Sequence, residues 1–475
     1  MAETHAFPRV AVGGLAGDSG KTLVSLALAL MARRAGVSVR GFKKGPDYID
    51  AGWLSWACGH RARNLDTWLM GFPAAVASFV RNASPDGLNI IEGNRGLYDG
   101  FDWQGTHSTA ELAKALHAPV LLVVDATKAT RTVAASVLGC RKLDESVWIG
   151  GVVLNRASKG RHEEVIRRAI EADCGVPVLG AIPRFSDAGL LPSRHLGLVT
   201  AEEHPASDAL QGRILGLFSD CLDLEGILSL ARQAPPLAVA ESVGGLLPGG
   251  GPVTIGYLQD SAFTFYYPEN LEALEAAGAT LAPVSSLAAH ALPLSLDALY
   301  IGGGFPETHA ALISANVALL GSLKARAAGG LPVYAECGGL MMLARSLRIH
   351  GCSHPMSGVL PFDVEMCATP QGHGYVELTV DAPNPFFPVG LRLKGHEFHY
   401  SRIVEEAGQP ATACAVRRGA GCYESRDGVI AGNVWAAYTH LHALGAPQWA
   451  EGVVAAARRY AGGRKVGVSR SEDCL

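Results

Sequence analysis

A glycine-rich segment near the beginning of the chain has the residue types that bind the phosphates of a nucleotide. The residues that carry this pattern are Gly14, Gly17, Ser19, Gly20, Lys21 and Thr22. Glycines leave backbone N–H groups free to face phosphate oxygens, while the lysine adds positive charge and the threonine hydroxyl can hold Mg²⁺. The commonest spacing would put the first glycine at position 15, which is Leu15, so this loop is one residue longer. A plain glycine turn with a surface lysine is the alternative, but the flanking strand and helix patterns favour a nucleotide site.

A second candidate centre lies around Cys337, in the C-terminal half of the chain. An apolar strand, the cysteine, glycines and a helix follow one another there, which predicts a tight turn that exposes the thiol at a helix N-terminus. Gly303 and Gly304 follow an earlier strand, and their N–H groups could bind an oxyanion. His440 could accept the thiol proton. A buried structural cysteine is the commoner role of a lone cysteine, but the combined features favour a nucleophile.

The composition excludes several classes of protein. The chain has 475 residues, of which 48% are hydrophobic and 18% are charged, which indicates a globular protein of two or three domains. Because the formal net charge is −4 and no basic run occurs, we expect no nucleic acid partner. No apolar segment approaches the roughly 18 residues that span a bilayer, so we expect no membrane insertion.

The cysteines and the N-terminal residues favour a cytoplasmic location. The ten cysteines include no C-x-x-C pair, so a zinc site or a dithiol has no support. The first residues, Met1 to His5, lack the basic flank and the apolar core of an export signal. We therefore expect reduced thiols and a cytoplasmic protein.

Polar side chains follow several predicted strands of the N-terminal half, where alternating strands and helices predict a doubly wound parallel sheet. Ligands of such sheets bind beyond the carboxyl ends of the strands. The candidates there are Asp47, Asp50, Glu92, Asp99 and Asn155. Asp47 and Asp50 could bind Mg²⁺ or cap a turn, and Glu92 could reach a metal held by the phosphate loop. Asp99 could orient an acceptor group or form a plain turn, and Asn155 could contact a purine edge.

Glycine and proline clusters mark a domain boundary near the middle of the chain. We predict a nucleotide-binding domain over 1–230, a linker over 231–252, a second α/β domain over 253–461 and a flexible tail over 462–475. An aromatic run, 263–267, follows the first strand of the second domain. It could pack in the core, or it could line a face offered to a large planar substrate.

Several motifs resemble those of a known enzyme family. The loop spacing of Gly14–Thr22 is similar to that of dethiobiotin synthetase, a carboxylate-activating enzyme. Lys44–Asp50, Asn64–Asp66 and Glu92–Gly100 together resemble the cobyrinate a,c-diamide synthase family. Gly395–Ser401 also matches a stretch typical of the tetrapyrrole a,c-diamide synthases. The resemblance covers roughly residues 8 to 445 and involves independent motifs in the correct order.

This resemblance assigns roles to residues that would contact the nucleotide, the metal and the acceptor. It implies ATP at the glycine-rich loop with its adenine near Asn155. As a separate hypothesis, Asp99 helps to bind or orient the acceptor carboxylate. The residues that the resemblance places near Mg²⁺ are Thr22, Asp47 and Glu92. The candidates for contact with the acceptor are Tyr48, Asp50 and His399.

The C-terminal motifs resemble a class I glutamine amidotransferase domain, in the variety fused to cobyrinic acid amidases. The family's nucleophile falls on Cys337, its base on His440 and its oxyanion loop on 302–304, with the Gly338 N–H as a further donor. Many amidotransferases place an acidic residue two positions after the histidine. His442 stands at that position, so no third catalytic residue is predicted. A metal site formed by the neighbouring histidines is the alternative, and the resemblance explains these residues without a metal.

Together the two resemblances imply two three-layer α/β domains, an N-terminal P-loop parallel sheet and a C-terminal amidotransferase-like sheet. The implied activity is ATP-dependent amidation of the a and c acid side chains of a tetrapyrrole, with ammonia from L-glutamine. Cobyrinate, hydrogenobyrinate, nickel sirohydrochlorin and sirohaem remain alternative acceptors. Outside the enzymes, the alternative is a P-loop regulator or partitioning ATPase, but these usually carry a second lysine early in the loop, where this chain has Gly14–Ala16. A homodimer is left open.

Overall fold

The computed structural model describes residues 4–185, 190–191, 193–194, 197–198, 207–238, 251–404 and 409–472. The chain divides into two units, Met1–Ser242 and Val243–Leu475. The division falls inside the predicted linker, and each unit combines helices with a central sheet, as the sequence predicts.

The N-terminal unit contains a parallel sheet that is flanked by helices. Its strands are β1 (Thr4–His5), β2 (Arg9–Gly14), β3 (Val39–Lys44), β4 (Arg63–Leu65), β5 (Leu88–Glu92), β6 (Val120–Asp125), β7 (Ile149–Asn155), β8 (Val178–Ala181), β9 (Ser193–Arg194), β10 (Gly197–Leu198) and β11 (Leu237–Ala238). Its helices are α1 (Lys21–Arg34), α2 (Tyr48–Cys58), α3 (Gly71–Asn82), α4 (Thr109–Ala115), α5 (Arg131–Leu143), α6 (Arg161–Cys174), α7 (Ser207–Phe218) and α8 (Leu224–Arg232). Among the described residues, seven strands form one sheet in the order β4-β3-β5-β2-β6-β7-β8.

Both faces of this sheet are covered, which gives the predicted three layers. Val10 and Val12 of β2 enter the core on the side of α1, whereas Ala11 between them joins the core on the opposite face. Successive side chains of a strand point to opposite faces, so a strand that is apolar throughout requires helices on both sides. The carboxyl ends of the strands are then left as the open edge of the sheet, where the predicted ligand residues lie.

The C-terminal unit contains a mixed sheet and a smaller second sheet. Its strands are β12 (Val253–Leu258), β13 (Ala279–Val284), β14 (Ala298–Ile301), β15 (Val333–Glu336), β16 (Ser346–Ile349), β17 (Cys352–Pro355), β18 (Asp363–Met366), β19 (Gly372–Val380), β20 (Arg392–His399), β21 (Ser401–Val404), β22 (Thr412–Arg418), β23 (Arg426–Ala431), β24 (Val434–Ala437) and β25 (His440–Leu441). Its helices are α9 (Pro268–Ala276), a 3₁₀ helix (Pro306–His309), α10 (Ala310–Ala315), α11 (Val317–Ala328), α12 (Gly338–Leu343) and α13 (Gln448–Glu472).

The larger sheet of this unit changes from parallel to antiparallel along its length. In the described part of the chain its strand order is β13-β12-β14-β15-β24-β23-β22-β19-β20-β25, and the first five strands run parallel. Leu299 and Tyr300 of β14 enter different cores on the two faces, so this unit also has three layers. The parallel part ends with β15 and β24. The predicted nucleophile, Cys337, directly follows β15, and the predicted base, His440, begins β25 shortly after β24.

The N-terminal sheet contains a strand that the sequence does not predict. The additional strand, β4, pairs with β3 at the edge of the sheet. A segment of three residues is too short to show the alternation of apolar and polar residues that marks a strand.

The first part of the predicted linker belongs to the N-terminal unit. β11 pairs with β1, and the buried guanidinium of Arg9 donates to Pro235 O at 2.7 Å and to Leu116 O at 2.6 Å. The buried arginine needs several carbonyl acceptors, so it holds the linker segment against the sheet. The remainder of the predicted linker, residues 239–250, lies outside the described residues.

The predicted flexible tail is helical as far as Glu472, because it continues α13. Arg464 contributes to this, since Nη1 donates to Leu294 O at 2.9 Å and Nη2 lies 3.2 Å from Asp297 Oδ1. Tertiary contacts of this kind extend a helix beyond the point that composition suggests. None of the described helices is long and apolar enough to cross a membrane.

Candidate functional site

The glycine-rich loop joins β2 to α1 and is closed by its own side chains. Gly20 precedes the helix with φ 94°, a left-handed conformation that favours glycine. The Ser19 hydroxyl donates to Ala16 O and accepts from Ala16 N, both at 3.0 Å. Lys21 and Thr22 are the first residues of α1, so their side chains start at the N-terminal end of the helix dipole.

The ammonium group of Lys21 is folded back onto the loop. Its Nζ donates to Ala16 O at 2.8 Å and to Gly17 O at 3.0 Å, and the side chain is buried. Burial, with a smaller contribution from Lys43, lowers the pKa of Lys21 to about 8. A phosphate oxygen could replace these carbonyl acceptors, and its negative charge would favour the protonated lysine.

Asn155 packs on the outside of the phosphate loop. Its Nδ2 donates to Ser19 O at 2.9 Å, and its Oδ1 accepts from Arg156 N at 2.9 Å. A Cβ atom on Gly20 would lie 2.4 Å from Asn155 Nδ2, so the amide occupies the space that only glycine leaves free. These contacts give Asn155 a supporting role in the loop, and its contact with adenine stays a prediction.

We expect Gly20→Ala to weaken nucleotide binding by about tenfold or more, because the methyl group would collide with Asn155 and the residue would have to keep a positive φ. Titration with a fluorescent ATP analogue measures the effect. Gly139→Ala is the matched control, because nothing lies within 4 Å of its Cβ position in the interior of α5. Unchanged affinity in Gly20→Ala would contradict this account of the loop.

Glu92 is the centre of a buried polar cluster beside the loop. Its Oε1 accepts from Thr22 Oγ1 and from Lys43 Nζ, both at 2.8 Å. Lys43 Nζ also donates to Asp50 Oδ2 at 2.6 Å and to Gly93 O at 3.2 Å. Burial alone would lower the pKa of Lys43, but the carboxylates of Asp50 and Glu92 outweigh it and raise the pKa above its usual range. The cluster therefore ties α1, β3, α2 and β5 together through ionic groups.

One oxygen of this cluster makes no hydrogen bond within the described residues. Glu92 Oε2 is fully buried, and burial raises the pKa of the Glu92 carboxyl group. A bound cation would satisfy such an oxygen, and carboxylate and hydroxyl oxygens are ligands that Mg²⁺ accepts. Thr22 and Glu92 thus fit a magnesium site. The described residues contain no cluster of three or more His, Cys, Asp or Glu side chains able to hold a metal, so water or phosphate oxygens would complete it.

The other candidates of the N-terminal unit have structural partners. Asp47 caps α2, since its Oδ1 accepts from two backbone N–H groups of the first turn at 2.8 and 3.0 Å. Asp99 Oδ2 accepts from Gly96 N at 2.9 Å. Both residues therefore fill the capping and turn roles that were the alternatives, and their roles toward Mg²⁺ and the acceptor stay predictions. Tyr48 is the first residue of α2 and precedes Asp50 by two positions.

Cys337 stands at a tight turn between β15 and α12, as the sequence predicts. Its φ of 47° and ψ of −100° form a strained conformation for a residue with a side chain. Its backbone N donates to Ala437 O at 2.7 Å, which ties the turn to β24. Strain of this kind persists at sites where it presents a nucleophile.

Glycine backbone from the loop after β14 surrounds this turn. A Cβ atom on Gly338 would lie 3.2 Å from Gly304 N. A Cβ atom on Gly303 would lie 2.6 Å from His440 Cε1 and 3.4 Å from His440 Nε2. The structure thus brings the predicted base and all three predicted oxyanion residues next to the cysteine turn. The role of their N–H groups toward an oxyanion stays a prediction.

The aromatic run after β12 belongs to the core and braces the glycine loop. Phe263 and Tyr267 are fully buried. The Tyr266 hydroxyl donates to Leu258 O at 2.5 Å and accepts from Gly302 N at 2.9 Å. Of the two predicted alternatives for this run, the described contacts support core packing.

The thiol of Cys337 is protonated in this environment. Burial, with a smaller effect of Glu307, raises the pKa of Cys337. The predicted position at a helix N-terminus would favour the thiolate, but α12 has only six residues and the sulfur is nearly fully buried. A base must therefore remove the proton when the sulfur reacts.

His399 is buried in the C-terminal unit, whereas Tyr48 and Asp50 lie in the N-terminal unit. Its Nδ1 donates to Ser401 O at 2.8 Å, and its ring stacks on Tyr438 with centroids 3.7 Å apart. These contacts support a structural role, and contact with the acceptor stays a prediction.

The sequence analysis assigned no role to two buried charged residues of these sites. Lys43 holds Glu92 and Asp50, and Glu336 Oε2 lies 3.4 Å from His440 Nδ1. Both residues end or nearly end an otherwise buried strand, β3 or β15. Charged side chains are rarely buried without a partner, so a charge inside a buried strand was the available signal.

Comparison with known proteins identifies the family. Residues 10–199 match the CobQ/CobB/MinD/ParA nucleotide binding domain, and residues 254–448 match the CobB/CobQ-like glutamine amidotransferase domain. A cobyrinate a,c-diamide synthase of Magnetococcus marinus is 42% identical over 451 residues, which are 94% of this chain and 96% of the relative. Relatives of the same name from Syntrophotalea carbinolica and Salmonella typhimurium are 40% and 35% identical, over 93% and 96% of this chain and 96% and 99% of theirs.

These similarities extend over both units and include both sites described above. The phosphate loop lies in the first matched region, and the cysteine turn and His440 lie in the second. The chain therefore belongs to the cobyrinate a,c-diamide synthase family, whose members are ATP-dependent ligases that take an amide nitrogen from glutamine.

Proposed function

We propose that this protein amidates the a and c acid side chains of cobyrinate, with ATP as the activator and L-glutamine as the nitrogen source. The observation that carries the proposal is that one chain holds a phosphate loop beside a buried lysine–carboxylate cluster and a strained cysteine turn beside a histidine. Relatives named cobyrinate a,c-diamide synthase match it over more than nine-tenths of its length.

The first half-reaction activates the acceptor, because a carboxylate does not react with ammonia at neutral pH. A carboxylate oxygen of the acceptor attacks the γ-phosphorus of ATP, ADP leaves, and an acyl phosphate forms. Lys21 supports this step when its ammonium exchanges the carbonyls of Ala16 and Gly17 for phosphate oxygens. The backbone N–H groups of the loop bind the phosphates, and Asn155 holds the loop at Ser19.

The buried cluster orients the groups around the phosphates. Thr22 and Glu92 would hold Mg²⁺, with Asp47 as a further candidate. Magnesium, when bound, neutralises charge on the phosphates as the phosphoryl group moves. Lys43 fixes Glu92 and Asp50 through ion pairs of 2.8 and 2.6 Å. Tyr48, Asp50 and Asp99 are the proposed contacts of the acceptor in this unit.

The second half-reaction releases ammonia from glutamine. The sulfur of Cys337 attacks the side-chain amide carbon while His440 takes the thiol proton, and N–H groups of Gly303, Gly304 and Gly338 stabilise the resulting oxyanion. His440 returns the proton to the departing ammonia, and water then hydrolyses the thioester to glutamate. Ammonia attacks the acyl carbon and gives up a proton, and phosphate leaves with the oxygen that attacked ATP, so nitrogen replaces this oxygen of the acid. Ammonia must remain unprotonated until it attacks, so the chemistry requires shielding from water.

A panel of acceptors tests the proposal. Cobyrinate, hydrogenobyrinate, nickel sirohydrochlorin and sirohaem are each incubated with ATP, Mg²⁺ and glutamine, and the products are examined by mass spectrometry. We expect two acids of cobyrinate to be converted to amides, with one ATP consumed for each. Two amidations on another acceptor would replace cobyrinate by that acceptor. ATP turnover that does not respond to any tetrapyrrole would contradict the proposed function.

A further inference from the structure

We infer that Glu336 is the positioning residue of the amidase site. Its carboxylate holds the imidazole of His440 in the tautomer that can take the proton of Cys337. It replaces the acidic residue that many amidotransferases place two positions after the histidine, where this chain has His442. The inference rests on the cysteine–histidine chemistry of the proposed function.

The distance and burial of the pair are those of a specific interaction. Glu336 Oε2 lies 3.4 Å from His440 Nδ1, and the two side chains are 0% and 4% exposed. Because neither side chain has access to water, the interaction acts at a low effective dielectric, so the carboxylate oxygen favours the tautomer with the proton on Nδ1. Glu336 directly precedes the nucleophile in the chain, so β15 delivers both groups.

The orientation of the ring leaves its other nitrogen for the reaction. Nδ1 of His440 faces Glu336, whereas Cε1 and Nε2 of the same ring lie against the backbone of Gly303. When Nδ1 carries the proton, Nε2 keeps a lone pair on the side of the glycine loop, whose Gly304 lies beside Gly338 of the cysteine turn. This is the division of roles that a carboxylate imposes on a catalytic histidine in hydrolases with a triad.

Three hydrogen-bond donors surround the carboxylate of Glu336. The Tyr300 hydroxyl donates to Oε2 at 3.1 Å, and the Tyr334 hydroxyl and Leu441 N donate to Oε1, both at 3.2 Å. A buried carboxylate is tolerated when several donors surround it. Burial and the charge of Glu336 raise the pKa of both tyrosines, so their hydroxyls remain protonated donors.

The backbone on both sides of His440 is fixed as well. On one side, Asp427 Oδ2 accepts from Thr439 N at 3.1 Å and from Thr439 Oγ1 at 2.6 Å. On the other side, Leu441 N donates to Glu336. Glu336 thus contacts His440 through its ring and through the following peptide, which limits both its position and its tautomer.

The other titratable groups around His440 do not duplicate this role. His396 of β20 stacks on His440 with ring centroids 5.0 Å apart, and burial lowers the pKa of His396 well below its usual value, so it is neutral. His442 has a carboxylate of its own, since its Nε2 lies 3.7 Å from Glu269 Oε2. Glu269 and His442 therefore form a second buried pair of the same kind beside the site.

Glu336→Gln tests the inference, because it keeps the size of the side chain and its acceptor oxygen but removes the charge. We expect glutamine hydrolysis in the complete reaction to fall by about 10² to 10⁴-fold, with activity on ammonium salts within about threefold of the parent. Alkylation of Cys337 by iodoacetamide at neutral pH should slow by about tenfold or more.

Glu269→Gln is the matched control, because it removes the charge from the neighbouring buried pair; alkylation of Cys337 should stay within about threefold of the parent. An equal loss in both variants would overturn the inference, as would a folded Glu336→Gln protein with unchanged alkylation. Glu336→Asp keeps the charge, and alkylation of Cys337 near the parent rate in this variant supports the inference if the glutamine variant does not fold. Equal losses with aspartate and glutamine would overturn it. Alkylation requires no acceptor, so a wrong tetrapyrrole assignment leaves this test intact.

Discussion

Cys337→Ala should lower glutamine-dependent amidation by about 10⁴-fold or more, while amidation supported by ammonium salts stays within about threefold of the parent. The alanine side chain has no nucleophile, so no thioester with glutamine can form. The groups proposed to bind and activate the carboxylate lie on the N-terminal unit, at the phosphate loop and the Glu92 cluster. Their chemistry uses free ammonia once it is supplied from solution.

The two nitrogen sources are compared in the same assay. ADP formation and amide products are measured with saturating glutamine and, separately, with ammonium chloride at a pH where free ammonia is abundant. Cys352→Ala is the matched control, because Cys352 is an exposed free cysteine of β17 in the same unit. It should retain both activities.

A simultaneous loss of both activities in a folded Cys337→Ala protein would contradict the two-site scheme. The alanine relieves little of the strain at this turn, because φ of 47° is unfavourable for any side chain. Far-ultraviolet circular dichroism and thermal unfolding therefore accompany the assay. A variant with parent-like unfolding and no ammonia-driven activity would place an ATP-linked role on Cys337.

The parts of the fold that the sequence predicted are those with strong local signals. The strand–loop–helix unit from Arg9 to Arg34 combines an apolar strand, glycines and an apolar helix, and the structure has these elements in place. The strand before Cys337 and the turn after it are confirmed as well. Each of these segments is specified by residues that are adjacent in the chain, so a single sequence contains enough information.

The elements that the sequence did not predict depend on contacts that are distant in the chain. β11 exists because its two residues pair with β1, more than 200 positions earlier, and Arg9 holds the adjoining Pro235. Helix α13 extends through a glycine-rich segment while Arg464 reaches the turn before β14. Composition favours irregular structure in both places, and tertiary contacts override it.

The candidate sites likewise combine residues that the sequence predicts with residues whose roles depend on distant contacts. Thr22 and Glu92 were predicted to meet, and their side chains are joined by a hydrogen bond of 2.8 Å. Lys43 and Glu336 were not predicted, because their importance lies in partners that the chain brings from other strands. A charge in a buried strand indicates that a partner exists, but the sequence does not show which of the available residues it is.

Glu92→Gln should abolish ATP-dependent amidation with either nitrogen source, by about 100-fold or more. The amide keeps the size of the side chain but removes the negative charge between Thr22 and Lys43. It also replaces the buried oxygen that makes no hydrogen bond among the described residues, which is the atom best suited to a cation. Nucleotide binding without Mg²⁺ should change little, and the Mg²⁺ concentration that half-saturates the reaction should rise.

The matched control for this variant is Glu111→Gln. Glu111 lies on α4 and pairs with Lys114 at 2.6 Å, but its side chain is 37% exposed, so loss of its charge should leave both activities unchanged. Glu92→Gln leaves Lys43 paired with Asp50 at 2.6 Å, so the free energy of unfolding should fall by about 1–3 kcal/mol, less than for a fully orphaned buried charge. Urea unfolding measures this loss and separates it from the loss of activity.

Glu92→Gln and Cys337→Ala should lose different activities. Alkylation of Cys337 should proceed at the parent rate in Glu92→Gln, because Glu92 and Cys337 lie on different units of the chain. Glu92→Gln should lose amidation with glutamine and with ammonia, whereas Cys337→Ala should lose only the former. Ammonia-driven activity that survives in Glu92→Gln at ordinary Mg²⁺ concentrations would remove Glu92 from the ATP-linked step. The cation would then have to be held by Thr22 with Asp47 or with phosphate oxygens alone.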